Sequence, residues 1–220
     1  MRSYNYKGFD RRYVSPWPIC IFYQNHDLDL YRRNKNISYW ERAKLLRDII
    51  SGLCHIHRER IVHGDIKAAN VLIDNSHIPK ICDFGSSRVD CSCPADTLLC
   101  NGTSQWSSPE LLEDGVCTKE SDIWAFGCLA LEVQFDKYPY NLNPTLAYLS
   151  VLKGLPPAEL SSAEPVIPGS YPESRVNTAT PTIKAEDSYS RRVWSIMQKC
   201  WEFDPEDRPD AEELLIEFNR

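Results

Sequence analysis

His63-Gly64-Asp65-Ile66-Lys67-Ala68-Ala69-Asn70 and, a short way on, Asp83-Phe84-Gly85 are the stretches that decide how this chain reads. β-type apolar residues lie between them, Val71-Leu72-Ile73 after the first and Ile81 before the second. Taken singly, Asn70 and Asp83 are residues that commonly cap loops and turns. Together with Asp65 and Lys67 they make a different set: a carboxylate for an attacking hydroxyl, a cation for a moving phosphate, and oxygen ligands for magnesium. Phosphoryl transfer asks a protein for those groups, rigidly placed, and for little covalent chemistry.

The two stretches resemble the catalytic loop (H-R-D-x-K-x-x-N) and the metal loop (D-F-G) of the eukaryotic protein kinase family. The resemblance continues downstream. Ser108-Pro109-Glu110 is similar to the A-P-E that closes a kinase activation segment. Asp122-Ile123-Trp124-Ala125-Phe126-Gly127 and Asp207-Arg208-Pro209 stand where the family carries its D-x-W-x-x-G and late R-P elements. A lone D-F-G recurs by chance; signatures in family order do not.

With 220 residues the chain is long enough for one domain with a sizeable core or for two small lobes. Its formal charge of −6, without a basic stripe, argues against a nucleic-acid partner or an anionic membrane surface. The longest apolar run, Ile123 to Val133, is interrupted by Glu132 and is too short to cross a bilayer, so it reads as a buried helix. Met1 to Asp10 is polar and aromatic with no apolar signal core, from which a cytoplasmic (intracellular) protein is expected. Nine scattered cysteines do not form the even, dense framework of a small secreted domain, so reduced thiols are expected. Cys91, Cys93 and Cys100 cluster on one stretch, readable as free loop thiols or as a redox or metal site.

Residues recurring at three and four positions predict a helix from about Ser38 to Arg58, with Leu46, Ile49, Ile50, Leu53, Cys54 and His57 on one face. Val71–Ile73 and Ile78–Cys82 flank the turn-like Asp74-Asn75-Ser76-His77 and predict a hairpin that holds Asn70 near Asp83. Residues 83–110 lack periodicity. Helices are expected at Ser121–Phe135, buried nearly all round, and at Thr145–Lys153, with two amphipathic helices after Ser188 and Pro209. Residues 155–188 are rich in Pro and Ser and read as an exposed insert without long regular elements.

The resemblance implies an α+β, mainly α fold: a kinase-like large lobe over 25–220, with 83–110 as activation segment, behind a truncated small lobe and hinge in 1–24. It implies Asp65 and Lys67 as catalytic residues. Asn70 and Asp83 would bind Mg2+, and Leu72 and the hinge residue Trp17 would line ATP. His63 and Phe84 resemble an apolar spine, Glu110 and Arg208 a buried ion pair, and Asp122 the carboxylate that holds the catalytic loop from below. Lys67 and Thr103 favour a Ser/Thr or tyrosine-kinase-like enzyme, whereas Trp106 is shared with tyrosine kinases.

Two departures stand out. Gly64 replaces the arginine of H-R-D, the usual partner of a phosphorylated activation segment, unless Arg88 substitutes. No G-x-G-x-x-G and no V-A-I-K lysine precede His63, so the sequence starts near where a fourth small-lobe strand would lie. The readings are therefore a protein kinase domain acting with a partner or longer isoform that supplies the small lobe, or a catalytically silent kinase-like scaffold. An unrelated helical interaction domain would explain the helices but none of the ordered motifs.

Overall fold

The computed structural model describes residues 25–90, 105–142, 144–160, 182–183 and 187–220. The expected small-lobe strands and hinge in 1–24, Trp17 among them, lie outside those residues, as do Cys91, Cys93, Cys100 and Thr103.

Two helices open the described chain, α1 (Leu28–Asn34) and α2 (Tyr39–Arg58). The α2 start follows from Ser38, whose side chain accepts from the Glu41 amide while the Glu41 carboxylate accepts from the Ser38 amide. That reciprocal box satisfies donors the first turn would leave orphaned. The short strands β1 (Ile61–Val62), β2 (Val71–Ile73), β3 (Pro79–Ile81) and β4 (Arg88–Val89) follow. β2 and β3 form the expected antiparallel hairpin, with Val71 opposite Ile81. Asp74 builds its turn by accepting from the Ser76 and Ile78 amides at 2.8 and 2.9 Å. The Ile78 amide, first among these, holds the Asp74 carboxyl below its ordinary range.

β4 is a correction to the unstructured reading of 83–110: Arg88 and Val89 pair antiparallel with Val62 and Ile61. So short a strand carries no period for a sequence to display.

The core is helical. α4 (Lys119–Phe135) is buried at every position from Ser121 to Gln134. It begins two residues before the expected Ser121, because Thr118 and Ser121 close a capping box. α3 (Pro109–Asp114) precedes it, and α5 (Pro144–Leu152), α6 (Ser188–Cys200) and α7 (Ala211–Phe218) follow. α2 packs on α7 and α4 on α6. The α4–α6 approach is close at Gly127, where a Cβ would lie 2.6 Å from Trp201 Nε1.

β5 (Glu159–Leu160) pairs in parallel with β6 (Thr182–Ile183), an element the Pro-rich composition of 155–188 did not announce. The described cysteines Cys54, Cys82, Cys117, Cys128 and Cys200 are reduced and join in no disulfide. Burial pushes the Cys128 and Cys200 thiols well up, so both stay protonated and inert. Among the described residues no helix is long and apolar enough to cross a membrane.

Candidate active site

The loop between β1 and β2 is held from beneath by one side chain. Asp122, 1% exposed in the first turn of α4, accepts from the His63 and Gly64 amides, both at 2.8 Å. His57, near the end of α2, reaches the same carboxylate through Nε2 at 3.0 Å. An α4 carboxylate thus sets the backbone path into Asp65. A buried anion is tolerated there because each oxygen meets a donor.

Gly64 is required by this path. Its φ is +77°, and a Cβ would lie 2.8 Å from the Ser86 carbonyl oxygen and 3.0 Å from Cys117 Sγ. The amide of Asp65 donates to His63 Nδ1 at 3.3 Å, which leaves Nε2 as the protonated nitrogen donating to the Cys82 carbonyl at 3.0 Å. The His63 ring also meets Phe84 edge to face, centroids 4.9 Å apart. One histidine therefore ties the first motif to the second.

Asp65, Lys67 and Asn70 converge. Asp65 Oδ2 accepts from Lys67 Nζ and from Asn70 Nδ2, each at 2.7 Å, and Asn70 Nδ2 also donates to the Asp65 carbonyl at 2.8 Å. Asn70 closes a 3-10 turn, Ala68–Asn70, that leads into β2. Its carbonyl accepts from the Cys82 amide at 2.9 Å, one step beyond the paired Val71 and Ile81. The hairpin thereby sets Asn70 beside the residue that precedes Asp83.

Asp83 itself is exposed, in the left-handed region at φ 63° and ψ 69°, and its carboxylate accepts from the Gly85 amide at 3.3 Å. Aspartate visits that region more readily than most residues because its short side chain bonds locally. Leu72 is half-buried on β2, opposite Lys80 and bridged to Asp27 on its other edge. Among the described residues no group of three or more His, Cys, Asp and Glu gathers into a closed metal site. Asn70 and Asp83 are the oxygen-bearing residues here that could hold Mg2+, a cation that keeps waters and substrate phosphates as its remaining ligands.

The segment entering α3 is anchored by Glu110 and Arg208, paired twice at 2.7 and 2.9 Å. Arg208 also donates to the carbonyls of Glu120, Glu202 and Phe203 and lies 5.1 Å from the Trp124 ring centroid. That coordination satisfies a guanidinium buried by the start of α4 and the approach to α7.

With this geometry in view, comparison with known proteins is decisive: the family model "Protein kinase domain" matches residues 18–217. The chain belongs to the protein kinase family. The chain is 30% identical over 184 residues to the serine/threonine-protein kinase pakG of Dictyostelium discoideum, covering 82% of this chain and 14% of that protein. Similarity extends to the serine/threonine-protein kinase hippo of Drosophila melanogaster, 29% identical over 83% of this chain and 24% of that protein. Against the serine/threonine-protein kinase STY46 of Arabidopsis thaliana it is 28% identical, over 78% of this chain and 26% of the relative. This kinase chain thus spans about a quarter or less of those relatives' lengths. Kinases of the family use ATP and Mg2+.

Sequence reasoning did not single out Glu132 or His57 as site-supporting residues. Glu132, on α4 and 1% exposed, accepts through Oε1 from Trp106 Nε1 at 2.7 Å and from the Ala68 amide at 3.3 Å. The one signal available was a lone acid interrupting the apolar run of α4.

Proposed function

We propose that this kinase domain transfers the γ-phosphoryl group of ATP to serine or threonine hydroxyls of proteins. The observation that carries the reading is the convergence of Lys67 and Asn70 on one oxygen of Asp65. In this reading Asp65 orients the acceptor hydroxyl and takes its proton, and Lys67 balances charge on the moving group. With its nitrogen turned to Asp65, Asn70 has its amide oxygen for Mg2+, and the exposed carboxylate of Asp83 completes the protein's share. Bound Mg2+ would neutralise charge on the phosphates. Leu72 and Trp17 would line the nucleotide.

The Ser/Thr acceptor is supported by the names of the relatives and by Lys67 in the catalytic loop. Residues 1–24 are assigned to the end of the small lobe and the hinge, 25–220 to the large lobe, and 83–110 to the activation segment. A longer form of the chain or a partner supplies the glycine-rich loop and strand lysine, and the protein acts inside the cell on a protein substrate.

Thermal unfolding with Mg2+ and ATP tests the site. Nucleotide at one hundred times its Kd stabilises by ~2.7 kcal/mol. The Mg2+-dependent part of the shift is expected to vanish in Asp83→Ala. Absence of any shift in the unaltered chain, together with no phosphate incorporation by a form that includes the small lobe, would leave the scaffold reading.

A further inference from the structure

Glu132 is the buried carboxylate that the phosphoryl-transfer reading does not use, and its neighbours come from three separate parts of the fold. The Ala68 amide, between Lys67 and Asn70, donates to Oε1 at 3.3 Å. Trp106 Nε1, from the segment just ahead of Ser108-Pro109-Glu110, donates to the same oxygen at 2.7 Å. Arg32 of α1, 5% exposed, brings its guanidinium to 3.7 Å from Oε2. Arg32 is held in turn by Asp29 at 2.5 Å and Asp136 at 3.4 Å, and Arg42 of α2 meets Asp136 at 2.7 Å. An apolar residue would fill α4 at this position with less desolvation. What the carboxylate adds is a single acceptor shared by two segments with no sequence proximity.

We propose that Glu132 is a positioning residue that couples the catalytic loop at Ala68 to the end of the activation segment at Trp106, so that its charge tightens both together. The proposal rests on the reading of Asp65, Lys67 and Asn70 as the transfer site. Geometry makes the coupling mutual. Moving Trp106 moves the acceptor that fixes the Ala68 amide, and the Ala68–Asn70 turn sets where Asn70 meets Asp65. A hydrogen bond to an ionised acceptor is shorter and stronger than one to a neutral acceptor, so a proton on Glu132 weakens both contacts at once.

Burial raises the Glu132 carboxyl to about 7, against the pull of Trp106, Arg32 and the Ala68 amide, with Asp29 raising it further. Those are the groups that face it from α1, the catalytic loop and the Trp106 segment, and Cys128 lies on its own helix. The charge therefore changes in the neutral range, where both states can be observed in the folded protein.

The test uses the full chain labelled with 15N on indole and backbone nitrogen. The Trp106 indole signal, identified as the one missing from Trp106→Phe, is expected to move with a midpoint near 7 and to stay fixed in Glu132→Gln, whose amide oxygen still accepts. Exchange of the Ala68 amide, corrected for intrinsic rate, should slow roughly fivefold through the same range in the unaltered chain and not in the glutamine variant. A Trp106 signal that does not move, or that moves equally in Glu132→Gln, overturns the coupling. Should the glutamine variant fail to fold, the titration in the unaltered chain decides alone. None of these readouts needs nucleotide, so failure of the transfer site would show separately, as absent Mg2+–ATP binding with the Trp106 titration intact.

Discussion

At Gly64 the backbone forbids what the family motif usually provides. An arginine there would need φ +77° and would place Cβ 2.8 Å from the Ser86 carbonyl. Gly64→Ala and Gly64→Arg are both expected to destabilise by about 1–3 kcal/mol, the cost of a strained left-handed residue, measured by denaturant unfolding. Restoring the arginine should therefore not restore phosphate sensing. Arg88, raised as a substitute, sits on β4 opposite Val62, next to the loop yet on a different strand. Glu110 and Arg208 behave differently, since each is the other's bidentate partner. Removing either should cost ~3–5 kcal/mol, because the remaining charge stays buried without its counterion. A double-mutant cycle, Glu110→Gln with Arg208→Met, should recover part of that loss.

At the scale of elements, α4 organises the site from both ends, Asp122 at its start and Glu132 in its last turns. Its fit against α6 leaves no room at Gly127. Gly127→Ala is expected to cost about 1–3 kcal/mol as an overpacked position, visible as a lower denaturation midpoint at unchanged m value. Much of this was legible beforehand. The period of α2, the burial of α4, the β2–β3 hairpin and the approach of Asn70 to Cys82, the residue before Asp83, all follow from patterns of apolar spacing and turn residues. The family resemblance also implied Asp122, Glu110 and Arg208 as supports, because each lies within one of the ordered signatures. What stayed hidden depends on contacts across long sequence separations. β4 exists because Val62 offers it an edge, β6 because Glu159 and Leu160 do, and the partners of Glu132 lie 64 and 26 residues away. No local period encodes such pairings.

For the whole molecule, acidity becomes a stability variable. An unfolded glutamate ionises near 4.5, whereas folded Glu132 keeps its proton to about 7. Between those values the folded state binds the extra proton, so this group makes stability fall as pH rises, and its contribution is level above about 7. Unfolding free energies measured across that window should lose this downward slope in Glu132→Gln. Asp29 carries the opposite sign. Burial alone would raise it, but the hydrogen bond from Tyr138 and the nearby Arg32 and Arg33 take it below its usual range. Its stabilisation is complete above the unfolded value of 3.8 and fades only in stronger acid. The two groups share Arg32, so variants at that arginine should alter both limbs of the profile.

The parallel pairing of β5 with β6 also has a meaning for the chain between them. Glu159 pairs with Thr182 and Leu160 with Ile183, so the chain leaves β5 and enters β6 at neighbouring points of the fold. Closing a loop twice as long costs only about 0.6 kcal/mol more. Lengthening the connection from Leu160 to Thr182 with a fluorescent reporter or an affinity handle should therefore leave the helical core folded, read as an unchanged denaturation midpoint.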